Sequence, residues 1–75
     1  MARDIDYAAT AVNRAIVEKY GRANDLQHLT VTAKENTIEV RDGDRVAEGI
    51  RHDLLDALRK SASYDELWQL LVPAA

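Results

Sequence analysis

Apolar residues recur along the first part of the chain at steps of three and four. Ile5, Ala8, Ala9, Val12, Ile16 and Tyr20 form one stripe, while Asp6, Thr10, Asn13, Arg14 and Glu18 take the other side. This period predicts an amphipathic α-helix from Asp4 to Tyr20. Asp4 is placed to act as its N-cap, and Gly21 to end it in the left-handed conformation. From Arg22 to His28 no period is sustained, and Ala23-Asn24-Asp25 is turn-prone, so this stretch predicts a connection anchored to the core by Leu26.

The period then changes to two. Leu29, Val31 and Ala33 alternate with Thr30 and Thr32, and Ile38 and Val40 alternate with Thr37, Glu39 and Arg41, which predicts two half-buried strands. Antiparallel pairing that sets Val31 against Val40 and Ala33 against Ile38 also sets Thr32 against Glu39 and Thr30 against Arg41. A slip of one residue would bury the polar set, so this register is the one that satisfies both faces. The turn is then Glu35-Asn36 or the longer loop from Lys34 to Thr37. The tolerance of Asn36 for positive φ favours the longer loop.

Asp42-Gly43-Asp44 is a turn signal with two continuations. It can close a second hairpin into a third strand, or lead into a helix capped by Asp44. Val46, Ile50, Leu54, Ala57 and Leu58 keep a helical stripe, widened by Ala47 and Leu55, whereas strand alternation would put Glu48 on the face of Val46 and Ile50. The spacing therefore predicts a helix from Arg45 to Lys60, at a cost of about 1 kcal/mol for interior Gly49. Ser63-Tyr64-Asp65-Glu66 fits a capping box, Tyr64, Leu67, Trp68 and Leu71 supply a last apolar stripe, and Pro73 ends it. The expected fold is α+β: one domain over residues 1–75, ordered α-β-β-α-α, with an antiparallel two-stranded hairpin packed on amphipathic helices.

Seventy-five residues leave room for one core, and a core of that size rarely supplies more than about 3–5 kcal/mol of net stability. With no cysteine, disulfides cannot supplement it. At 47% hydrophobic and 31% charged residues the composition is that of a folded globular chain. The N-terminal Met-Ala-Arg-Asp-Ile-Asp has no apolar run of the signal-peptide kind, and no stretch reaches membrane-spanning length, so a cytoplasmic location without membrane contact is expected.

Candidate chemistry is sparse. His52 and Asp56 lie four apart on one expected helical face and could share an ion. No third His or Cys stands at a metal-motif spacing, so Glu48, His52, Asp56 and Lys60 read as a solvated ladder of four-residue pairs. Asp42, Asp44 and Glu48 hold part of a calcium-loop pattern but lack its remaining oxygen ligands. Ser61 and Ser63 flank a helix break outside any nucleophile elbow, and Ser63 has a capping role. Gly21, Gly43 and Gly49 match no phosphate-binding spacing. Asp53 and Asp56 have no patterned burial to shift their acidity. The reading is of a non-enzyme with no cofactor, no metal and no small-molecule substrate.

A formal charge of −3 argues against affinity for nucleic-acid phosphates. The last two helices have the spacing of a helix-turn-helix, yet Tyr64 to Val72 carries Asp65 and Glu66 and no Lys or Arg. The strands also lack stacking aromatics. What remains is an interaction surface, because a two-stranded hairpin exposes unpaired edges. The expected function is a small, non-catalytic, self-associating protein-interaction module, with a second copy or another protein as its partner. Thr30, Thr32, Glu39 and Arg41 on the polar strand face, with Tyr64 and Trp68, form its candidate surface, although core packing is the better use for the two aromatics. Val17 and Leu70 fall off their stripes. Two alternatives come from other classes: an acidic inhibitor of the phage or mobile-element type that occludes a basic nucleic-acid-binding protein, and weak nucleic-acid binding through the Arg-containing first helix, since Arg3, Arg14, Lys19 and Arg22 all come from the N-terminal third.

Overall fold

The computed structural model describes residues 3–73. Helix α1 runs Asp4–Tyr20 and buries Ala9, Val12, Ile16 and Tyr20, the stripe that the sequence period marks. Its N-cap is Arg3 rather than Asp4, which forms the first helical residue. The Asp6 carboxylate accepts the Arg3 N–H at 3.0 Å and the Arg3 guanidinium at 3.3 Å. Two carboxylates in the first turn also complement the helix dipole. Gly21 is right-handed, with φ −64°, and so does not end the helix as expected. Glycine is needed there for closeness instead: a Cβ would fall 2.5 Å from the Val17 carbonyl oxygen.

Strands β1 (Leu29–Ala33) and β2 (Ile38–Asp42) pair antiparallel in the expected register, with Thr30 on Arg41, Val31 on Val40, Thr32 on Glu39 and Ala33 on Ile38. The connection is the longer loop, closed by the Lys34 N–H donating to the Thr37 carbonyl at 2.8 Å. Asn36 does not use positive φ.

The two-stranded hairpin and the long second helix are corrected at one point. Residues Arg45–Gly49 form a third strand, β3, antiparallel to β2, and helix α2 starts only at Arg51 and runs to Lys60. Gly43-Asp44 is a two-residue turn between the paired Asp42 and Arg45, and Gly43 has φ +61°. Positive φ at the first central residue alone is the pattern of a type II′ turn, whose twist suits a hairpin. Asp44 is thus a turn residue and no N-cap. Ala47 faces the core at 1% exposure, while Val46 and Glu48 do share the opposite face. That arrangement is tolerated because the opposite face is polar and open to solvent. Ile50 is extended, caps α2 and stays exposed, so the stripe that joins Val46 to Leu54 is an accident of spacing.

The sheet order is β1-β2-β3. Its inner face contributes Ile38, Val40 and Ala47 to a core completed by Val12 and Ile16 of α1, Leu54 and Leu58 of α2, and Leu67 of α3 (Tyr64–Leu70). Ile38, Val40, Val12 and Leu67 are the largest fully buried side chains, each worth about 1.5–3 kcal/mol of burial. Leu26 packs against the same core, as expected of its loop. Ser63 caps α3 by accepting the Glu66 N–H at 3.1 Å.

Helices α1 and α2 lie side by side and point the same way. Ile5 and Ala8 share a groove with Ile50 and Arg51 at one end, and Lys19 and Tyr20 meet Leu58 and Ser61 at the other. At the second end the Lys19 ammonium donates to the carbonyls of Leu58 and Ser61 at 2.5 and 2.9 Å. It thereby neutralises the carbonyl end of α2. The Tyr20 hydroxyl lies 2.5 Å from the Ser61 Oγ, and that Oγ donates to the Leu58 carbonyl at 2.8 Å. Ser61 is thus a buried structural residue.

Two substitutions test these assignments by urea unfolding. Gly43→Ala is expected to cost about 1–2 kcal/mol through its left-handed φ. Lys19→Met, which keeps the apolar stem, is expected to cost about 1.5–3 kcal/mol by removing a charged donor, and the same change at exposed Arg14 less than about 0.5 kcal/mol.

Candidate interaction surface

Alternation along the ladders shows which backbone groups remain outside the sheet. The Lys34–Thr37 bond fixes Thr32 with Glu39 and Thr30 with Arg41 as hydrogen-bonded pairs, so Val31 and Ala33 point their N–H and C=O groups away from β2. On the far side, Val46 and Glu48 point outward from β3. There the edge is closed by the chain itself: the Glu48 N–H donates to the Val72 carbonyl at 3.1 Å, and Ala47 bridges to Pro73. Among the described residues the sheet therefore has one open edge, β1. Its inward residues Leu29, Val31 and Ala33 are only half-buried, whereas Ile38 and Val40 beside them on β2 are 1% exposed.

Thr30, Thr32, Glu39 and Arg41 come together on the outer face of the sheet, as their register requires. Lys34 and Arg41 both pair with Glu39, at 3.7 and 3.4 Å, and the Thr37 hydroxyl donates to Glu48. Arg41 sits on the central strand.

Tyr64 and Trp68 are not part of this face. They lie on the helix side of the sheet, at the end carrying Asp42 and Arg45. Tyr64 is 5% exposed, meets Tyr20 at 5.9 Å and Trp68 edge-on at 6.4 Å, and donates its hydroxyl to Asp42 at 2.7 Å. The Arg45 guanidinium stacks over both rings, 5.3 Å from Tyr64 and 5.1 Å from Trp68, while pairing with Asp42 and Asp65 at 3.4 Å each. The Trp68 ring is held by this stacking and by packing against the core. Burial, and then the carboxylate of Asp42 that accepts its proton, push the Tyr64 hydroxyl up to about 12. Sequence reasoning missed Asp42 and Arg45 here because it placed Arg45 on a helix.

The remaining candidates are dispersed. Asp56 pairs with Lys60 at 2.9 Å and with Arg59 at 2.5 Å, and these cations hold its carboxyl below the usual range. Glu48 belongs to β3 and cannot join that ladder. Among the described residues, no three His, Asp or Glu side chains gather as metal ligands, and no helix is long and apolar enough to cross a membrane. Of the basic residues of the first third, Arg3 pairs with Asp6 and Lys19 is spent on α2. Leu70 lines a groove with Asp53, Leu54 and Val72, to which α1 and Val17 contribute nothing. Comparison with protein-family models, with curated proteins and with solved structures gave no match.

The pH dependence of stability is expected to follow the Tyr64 hydroxyl. Its pKa is raised on folding, so its contribution is intact below about pH 10, the value for an unfolded tyrosine, and is lost as pH rises toward about 12. Thermal unfolding followed across that interval is expected to show a smaller fall in Tm for Tyr64→Phe than for the parent chain. The depressed carboxyls of Asp6 and Asp56 act on the acid side, their contribution being present above 3.8 and lost as pH falls through their lowered values.

Proposed function

We propose that this chain is a small, non-catalytic protein-interaction module that binds by strand addition at the edge of β1. The observation that carries the reading is the asymmetry of the two edges: β3 is closed by Val72 and Pro73, whereas β1 presents the outward N–H and C=O groups of Val31 and Ala33. An added strand would gain main-chain hydrogen bonds from this edge, while alternate side chains supply selectivity. Thr30, Thr32, Glu39 and Arg41 form the polar border that such a strand would meet on the outer face. Tyr64 and Trp68 support the end of the sheet instead of contacting a partner. β1 is also the one strand or helix of the described structure without a charged residue, so it lacks the lysine that commonly guards an edge. The acidic-inhibitor and nucleic-acid readings have no comparable focus, since the acidic residues are spread over α1, β2, β3, α2, α3 and the loops.

Val31→Pro tests the reading, because proline is tolerated on an edge strand when its missing N–H faced solvent. The variant is expected to fold, with far-UV circular dichroism like that of the parent, and to lose the proteins that the parent captures from a lysate of its source. Capture of the same proteins by both chains would rule out the β1 edge.

A further inference from the structure

We infer that the strand added to β1 is the β1 of a second copy, antiparallel about a two-fold axis at Val31. This rests on the reading of β1 as the docking edge and names its occupant. The five residues Leu29-Thr30-Val31-Thr32-Ala33 read nearly the same in both directions. A two-fold axis at Val31 therefore sets Val31 on Val31, Thr30 on Thr32 and Leu29 on Ala33. All the outward groups but the Ala33 carbonyl meet a complement. Each Val31 exchanges N–H and C=O with the other, and each Ala33 N–H reaches a Leu29 carbonyl. The Leu29 N–H is already bound to the Leu26 carbonyl at 3.0 Å and is not required.

Side chains select this register over its neighbours. On the inner face the row Ala47, Val40, Val31 continues into Val31, Val40, Ala47 of the second copy, an unbroken apolar line that covers the half-exposed Val31. On the outer face the row Arg41, Thr30 continues into Thr32 and Glu39 of the second copy, so opposite charges flank the two threonines of each joined row. An axis at Thr30 would instead join Arg41 rows to Arg41 rows, and an axis at Thr32 would join Glu39 rows to Glu39 rows. The shift to Thr30 also leaves Ala33 of each strand without its opposite. The interface is a sheet edge with its flanks, small for a dimer, so assembly is expected to depend on concentration.

The test uses the full chain. In sedimentation from about 10 μM to about 1 mM, the mass is expected to rise from one copy to two. Over the same range hydrogen exchange is expected to slow at the Val31 and Ala33 amides, while the Thr30 and Thr32 amides, bonded within the sheet, are slow throughout. Two double substitutions at exposed positions then probe the register. Thr30→Glu with Thr32→Lys places opposite charges across the axis as well as against Arg41 and Glu39, and is expected to tighten the dimer by about tenfold; Thr30→Lys with Thr32→Lys places like charges across the axis and is expected to weaken it by about as much. A single-copy mass at every concentration, with fast exchange at Val31 and Ala33, overturns self-pairing. So does a dimer that both substitutions shift in the same direction. If the chain stays single while Val31→Pro still abolishes capture of other proteins, the β1 edge stands as a docking element and only its assigned occupant falls.

Discussion

The left-handed turn at Gly43 is the constraint on which most of this structure depends. With φ +61° at one residue, the chain reverses within two residues and β3 lies beside β2. β2 thereby becomes a central strand, with Ile38 and Val40 closed off from both sides as well as from above. The same reversal brings Arg45 next to Asp42, where its guanidinium can bridge to α3. A helix running straight on from Asp44 would have left β2 as an edge and removed Ala47 from the core. A turn that few residues other than glycine can make thus decides how many strands the domain has and which of them is exposed.

Two polar clusters hold the helices on that sheet, one at the end of α1 and the other at the end of β2. Lys19, Tyr20 and Ser61 join the last turn of α1 to the last turn of α2, each satisfying groups that burial would otherwise leave unpaired. Arg45 performs the matching task for α3, between two aromatic faces and two carboxylates. Both clusters use long cationic side chains whose stems cover apolar surface. In a chain without disulfides, these charge-assisted contacts supplement a small hydrophobic core.

Much of this was legible in the sequence where the pattern was periodic and local. The stripe of α1, the register of β1 on β2 and the Ser63 cap follow from spacing alone, because a slip in any of them would bury polar groups. Residues 45–50 misled because a five-residue strand followed by a helix can imitate one longer helix: Val46 and Leu54 are eight apart in either case. The two-residue turn at Gly43 and the unfavourable Gly49 were the contrary signals, both local and both outweighed by the stripe. The candidate surface was half legible. Alternation places Thr30, Thr32, Glu39 and Arg41 on one face, but the closure of β3 by Val72 and Pro73 is a contact across more than twenty residues that no period announces. The membership of Tyr64 in a cluster with Asp42 and Arg45 likewise depends on β3 existing.

The strap of Val72 and Pro73 along β3 has a consequence for assembly. Proline has no N–H to offer, so the strap ends the ladder where it lies instead of extending it. A sheet that can grow at both edges can polymerise without limit, as in cross-β fibres. Among the described residues growth is open in one direction only, and a two-fold contact at β1 would use up the open edge of both copies. A two-fold association through that edge would close at a pair, so that the domain could carry an uncharged, β-branched strand on its rim without seeding a filament.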